Sequence, residues 1–368
     1  MIEISYPRCK LQYTCFAISG GNDEYHLILH PEEGDGFEVQ YEAVKNALRT
    51  FLAEEAGNAC PVFMRWFLSD AANQQEIIER DSQSCAVSII EQPPLDGTKV
   101  ALWAYIIKGT ESHRAGEHTW EAEYHGFTHL WTAKECRGDG DTELQTRAIL
   151  ESYESMLQGR SCRMADNCIR TWFFVQNVDV NYGGVVKGRR DFFNEIGLTS
   201  HTHYIASTGI AGRIASPFST VIFDSYAVRG LGKDRIHFLK GSSHLNPTYE
   251  YGVTFERGTV VDYADRSHVF ISGTASIDNK GQIVCPSDIK GQVLRMWENV
   301  EVLLQEADCS YEDVMHMMVY LRDISDYQLV SRMYEERFPS YPKVFLWAPV
   351  CRPGWLVEME CMAVRKRL

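Results

Sequence analysis

One pattern occurs three times along this chain and constrains its fold more than any other feature: a helix opened by glutamine, followed at a fixed distance by a hydrophobic strand. The first copy starts at Gln40, carries Tyr41, Val44, Ala47, Leu48, Phe51 and Leu52, and reaches a strand over 62–68. The second starts at Gln145, carries Ile149, Tyr153, Met156 and Leu157, and reaches a strand over 169–175. The third starts at Gln292, carries Val293, Met296, Trp297, Val300, Leu303 and Leu304, and reaches a strand over 314–321. From the glutamine to the last strand residue (Leu68, Val175, Leu321) the separations are 28, 30 and 29 residues. Self-similarity at a fixed length marks a tandem architecture. Apolar residues at three- and four-residue intervals give each helix one stripe to lay on a sheet.

Around this nucleus one order repeats: strand, strand, helix, strand, helix, strand, strand. Second helices are expected at 73–79, 182–196 and 327–338. Closing strand pairs are expected at 86–90 with 100–107, 204–207 with 221–228, and 344–347 with 356–364. Gly, Ser, His and charged residues collect near 109–116 and 230–241, dividing the chain into 1–112, 113–235 and 236–368. The expectation is an α+β fold, an α/β sandwich repeated three times, with sheets packed inward as an intramolecular pseudo-trimer. Each repeat then covers strand edges that another leaves open.

With 45% hydrophobic and 23% charged residues, the chain reads as globular throughout. A net charge of −14, with no long Lys/Arg run, disfavours nucleic acid as a partner. No stretch approaches the ~20 apolar residues of a membrane span, and the N-terminus lacks a basic-then-apolar leader, so a soluble cytoplasmic protein is expected. Eleven cysteines without CxxC spacing favour neither a disulfide framework nor a zinc ribbon.

The last strand carries the strongest chemical signal. Alternation puts Val357, Met359 and Cys361 on one face and Glu358 and Glu360 on the other. Two acids in so apolar a strand are costly unless they line a polar cleft or find partners. Aligning the closing strands on Ala227-Val228 and Ala363-Val364 sets Ile222 opposite Glu358 and Asp224 opposite Glu360, so Glu358 is the acid special to the third copy. Arg352 beside the preceding turn, and Arg213 after a Gly-flanked loop, could each hold a carboxylate through a bidentate pair. Cys351 is read as a pocket wall more readily than as a nucleophile, and Tyr204 and Thr274 as hydrogen-bond donors in the same cleft. No metal is expected. His125-x3-His129 has ligand spacing but sits in strand-like aromatic sequence, and His201-x-His203 lacks a third ligand nearby. There is no GxSxG, P-loop or GxGxxG.

The third copy resembles the Rid/YjgF superfamily, also known as the endoribonuclease L-PSP family. The matching pieces are SGTASID (272–278), the Gln292 helix with Asn299, MMVYLRD (317–323), and CRP followed by LVEMECMAV (351–364). The likeness is specific over 250–368, fair over 120–230 and topological over 1–112. It implies homotrimer-like clefts between repeats and a small anionic substrate. Within the superfamily it has a closer likeness to the chorismatases, which also join such units in one chain. Their end resembles Cys351-Arg352 with Glu358 seven residues after the cysteine, and their middle resembles Tyr204 to Arg213. This resemblance implies an enzyme without cofactor, acting as a monomer or higher oligomer. In it Glu358, kept protonated near Trp347 and Trp355, protonates an enolpyruvyl group whose carboxylates Arg213 and Arg352 hold. Two alternatives stand beside it: imine or enamine deamination, against which position 345, an arginine in that family, is Phe, and a non-catalytic ligand-binding protein.

Overall fold

The computed structural model describes residues 2–57 and 59–367. The first repeat comprises β1 (Ile2–Tyr6), β2 (Cys9–Phe16), β3 (Glu24–Pro31), α1 (Phe37–Glu54), β4 (Cys60–Leu68), α2 (Ala71–Glu79), β5 (Ala86–Glu91) and β6 (Val100–Ile107). The second comprises β7 (Ser112–Arg114), β8 (Thr119–Tyr124), β9 (Phe127–Cys136), α3 (Thr142–Gln158), α4 (Met164–Asn167), β10 (Cys168–Val175), α5 (Val178–Glu195), β11 (Ala206–Ala211) and β12 (Val221–Arg229). The third comprises β13 (Ile236–Leu239), β14 (Gly258–Asp262), β15 (Arg266–Ala275), α6 (Ile289–Glu306), β16 (Val314–Leu321), α7 (Tyr327–Arg337), β17 (Lys343–Trp347) and β18 (Val357–Lys366).

Each repeat forms a six-stranded sheet of one topology: β1-β2-β3-β6-β4-β5, β7-β8-β9-β12-β10-β11 and β13-β14-β15-β18-β16-β17. One pair in each is parallel, β4/β5, β10/β11 and β16/β17, and the other neighbours are antiparallel. The fold is therefore the expected α+β array of three tandem repeats. It departs from the expected order in that each sheet opens with an additional short edge strand, β1, β7 or β13, and the second repeat inserts the one-turn helix α4 before β10.

The sheets meet at the centre and the helices lie outside. Phe63 packs on Trp131 (4.9 Å) and Trp172 (6.4 Å), Trp103 on His316 (4.6 Å), and Tyr226 on Phe270 (5.5 Å), so the inner core draws on all three repeats. Separate apolar layers join α1 to the first sheet and α3 and α5 to the second. Edges are closed between repeats. Glu91 N–H donates to Arg213 O (2.8 Å), Trp347 N–H to Pro93 O (2.8 Å) and Ala211 N–H to Pro349 O (3.1 Å). Among the described residues no helix is long and apolar enough to cross a membrane.

Candidate active site

In β18 the alternation sets Met359 toward the helices, where it accepts from the Tyr334 hydroxyl of α7 (3.0 Å). Glu358 and Glu360 then face the other repeats. Backbone register defines their counterparts. Leu68, Val175 and Leu321 end their strands opposite Val100, Val221 and Val357. One residue on, the slot holds Ala101, Ile222 and Glu358; two further on, it holds Trp103, Asp224 and Glu360. A single repeat thus carries an acid in the first slot.

The two acids have opposite surroundings. Glu360 accepts from Arg170 Nη2 (2.7 Å), Trp172 Nε1 (2.9 Å) and the Thr208 hydroxyl, and Arg65 Nη1 lies at 3.9 Å. Arg65 also donates to Asp224 Oδ2 at 2.9 and 3.3 Å, so the ion network crosses all three repeats. Its members are buried, and its donors fill the acceptor positions of Glu360, as burying a charge requires. Glu360 belongs to the core's ion network.

Glu358 is equally buried, at 4% exposed. Among the described residues no hydrogen-bond donor reaches its carboxyl. Burial pushes its pKa up to about 8, and the nearby charge of Glu360 adds to the rise against the opposing pull of Arg170 and Arg257. A neutral, proton-bearing carboxylic acid near pH 7 results. Room for it comes from β15, where the register against β18 slips by one residue between Ile271 and Thr274. This bulge places Gly273 against the carboxyl, and a Cβ there would collide with Glu358 Oε1.

Glu358 opens into a narrow cavity between the second and third repeats. Its lining includes Tyr182, Arg189 and Gly209 from one side, and Tyr251, Arg257, Cys351, Arg352 and Trp355 from the other. Tyr182, Tyr251, Cys351 and Arg352 also wall an outer vestibule bearing Lys187 and Arg190. Three guanidinium groups converge here. Arg189 donates from Nε to Thr254 Oγ1 (3.1 Å) and from Nη1 to Ser207 Oγ (3.4 Å), Arg257 to Asn246 O (2.9 Å), and Arg352 to Tyr251 O (3.0 Å). Among the described residues, Arg189 Nη2, Arg257 Nε, the Tyr251 hydroxyl and Trp355 Nε1 are buried without partners. Unmet donors on a cationic wall suit an anionic ligand.

The structure brings Glu358, Arg352 and Cys351 together, as the sequence anticipated, and separates the rest. Arg213 lies in a different cleft with Glu91, to which it donates at 2.6 Å, because β5 and the end of β11 pair there. Tyr204 precedes β11 and faces a groove beside Ile236–Leu239. Thr274 is fully buried past the bulge, its hydroxyl donating to Ser272 O (2.9 Å). Trp347 is half exposed near Arg213 and leaves Trp355 as the indole beside the acid. Cys351 is a neutral wall: burial, then the adjacent Glu358 charge, pushes its thiol up to about 12. Sequence reasoning missed Arg189, Arg257, Tyr182 and Tyr251. A signal for Arg189 existed, since Tyr182, Val185 and Arg189 share one helical stripe, placing a cation at a core-facing position of α5.

A family model described as Endoribonuclease L-PSP matches residues 259–365. A RutC family protein of Pyrococcus abyssi is 32% identical over 100 residues, 27% of this chain and 79% of that protein. The 3-aminoacrylate deaminase RutC of Acinetobacter baylyi is 27% identical over 97 residues, 26% of this chain and 77% of that protein. Among solved structures, a chorismatase matches with a TM-score of 0.68 at 16% identity, covering 94% of this chain and 100% of its own. That likeness is one of fold.

Proposed function

Because the chain belongs to the RutC family, within the Rid/YjgF superfamily, and has a three-repeat fold like that of a chorismatase, we propose that it hydrolyses an enol-ether group of a small carboxylate by general-acid catalysis at Glu358. The observation that carries this reading is the buried carboxyl of Glu358, which no hydrogen-bond donor reaches among the described residues, in one cavity with guanidinium groups that have unmet donors. A shift to about 8 leaves roughly nine-tenths of these carboxyls protonated at pH 7. In the enolpyruvyl case Glu358 gives its proton to the methylene carbon, and the double-bond electrons form the new C–H bond. Water then adds to the oxocarbenium carbon, passing a proton back to the Glu358 carboxylate. The hemiketal collapses to pyruvate and the free alcohol. Arg189, Arg257 and Arg352 hold the substrate's carboxylates, replacing Arg213 in that role. Cys351, Tyr182 and Trp355 exclude bulk water.

A second reading is hydrolysis of an amino-acid-derived imine or enamine, favoured by the similarity to the RutC deaminase. Phe345 argues against it: where that family has a ligand-binding arginine, this side chain packs on Tyr327 (5.7 Å) and Tyr334 (5.2 Å). Pyruvate release from chorismate and ammonia release from 2-aminoacrylate, measured side by side, separate the two. Inactivity on both leaves a ligand-binding protein.

A further inference from the structure

We propose that Glu24, His125 and His268 hold one divalent transition-metal ion near the internal pseudo-threefold axis, far from the Glu358 cavity. The strand register leads to this site. Seven residues beyond Val100, Val221 and Val357, the closing strands reach Ile107, Val228 and Val364, which pair with Glu24, His129 and His268. One slot, repeated three times, therefore carries a carboxylate and two imidazoles, and it lies six residues from Glu358, roughly 20 Å along β18. His125 joins the slot from the β8–β9 turn, where it adopts a left-handed backbone (φ 50°). The ligand atoms of Glu24, His125 and His268 lie within 4.8 Å of one another.

The two imidazoles are incompletely satisfied without an ion. Among the described residues, neither ring nitrogen of His125 finds a partner although both are buried, and His268 Nδ1 also has none. His129, by contrast, is used up by the Tyr226 hydroxyl (2.6 Å) and Tyr124 O (2.9 Å), so it supports the site from behind. Glu24 is oriented by the Tyr105 hydroxyl (2.7 Å) and Arg266 (3.2 Å). Arg266 also grips Asp265 at 2.8 and 3.1 Å, and His268 Nε2 lies 3.0 Å from the Glu24 carboxylate, so the carboxylate already holds one of the two imidazoles beside it. Two imidazoles and one carboxylate are a donor set for zinc or another late first-row ion. Metal–nitrogen bonds of about 2.0 Å need ligand atoms about 3.3 Å apart, a closure that rotation of the two imidazole rings supplies. The sequence spacing of His125 and His129 hid this arrangement, because the other two ligands come from the first and third repeats.

The test uses the full chain, freed of any histidine tag, loaded with Zn²⁺ or Co²⁺ and dialysed. About one ion per chain should remain by elemental analysis, with a Co²⁺ d–d spectrum free of thiolate charge transfer. His125→Asn suits the left-handed turn but lacks the imidazole, and it should fold normally by circular dichroism while losing the ion. His268→Gln should lose it too. Absence of retained metal in the wild type, or undiminished retention in His125→Asn, overturns the proposal.

Discussion

Glu358→Gln should damage activity while improving stability, and the size of the second effect follows from the site. Glutamine keeps the shape of the side chain but carries no acidic proton. The folded carboxyl titrates at about 8 against 4.5 in an unfolded chain. Between those values the unfolded state has released a proton that the folded state retains, so wild-type stability falls as pH rises, by about 1.4 kcal/mol per unit. The variant lacks this penalty. From pH 5 to pH 7 the difference between the two proteins should therefore widen by roughly 3 kcal/mol in favour of the variant, read by urea denaturation at each pH. Turnover should fall by about 10²–10⁴, the usual loss for a missing general acid, and wild-type turnover should decline as pH passes about 8. Parallel stability curves for the two proteins would falsify the buried neutral acid. Undiminished turnover in the variant would remove Glu358 from the chemistry.

Glu360→Gln should behave in the opposite sense, losing about 3–5 kcal/mol of stability in denaturant because Arg170 is left as a buried, underpaired cation. Arg189→Met should raise KM at least tenfold while Arg213→Ala leaves KM unchanged, since only the former guanidinium faces the cavity; equal effects would reunite Arg213 with the site. Gly273→Ala should abolish turnover with a stability cost of about 1–3 kcal/mol, because the added methyl meets both Glu358 and Thr208. A crystal structure of that variant with Glu358 undisplaced would refute the packing argument.

The threefold repetition was legible because burial against a sheet imposes the same helical stripe wherever the unit recurs, and strands 100–107 and 314–321 were read to the residue. The distinction between Glu358 and Glu360 was also legible, since alternation and alignment of two closing strands suffice to find the odd acid. Partners were not. Arg65, Arg170 and Trp172 contact Glu360 across sequence gaps that no local pattern spans. Arg213 was misplaced for the same reason: its Gly-flanked loop has the look of an anion site, but strand pairing carries it to Glu91. Tyr251 and Arg257 lie in and just after an irregular segment with no periodicity to read.

Fusion of three units in one chain explains why an acid can stand in the Glu358 slot once and stay neutral. In a trimer of identical units an acid in the Glu360 slot would occur three times around the axis, and so would one in the Glu358 slot. Here the Glu360 slot holds Trp103, Asp224 and Glu360, and the two acids are matched by two arginines, Arg65 and Arg170. Within that network the charges balance with Glu358 left out. Both guanidinium groups are engaged by those acids, so ionising Glu358 sets a second negative charge beside Glu360 in a region of low polarity, against the opposing pull of Arg170 and Arg257. The proton that Glu358 retains is thus a consequence first of burial and then of the charge of Glu360 beside it. Its counterparts Ala101 and Ile222 carry no acid, which confines a buried neutral carboxyl in this slot to the interface between the second and third repeats.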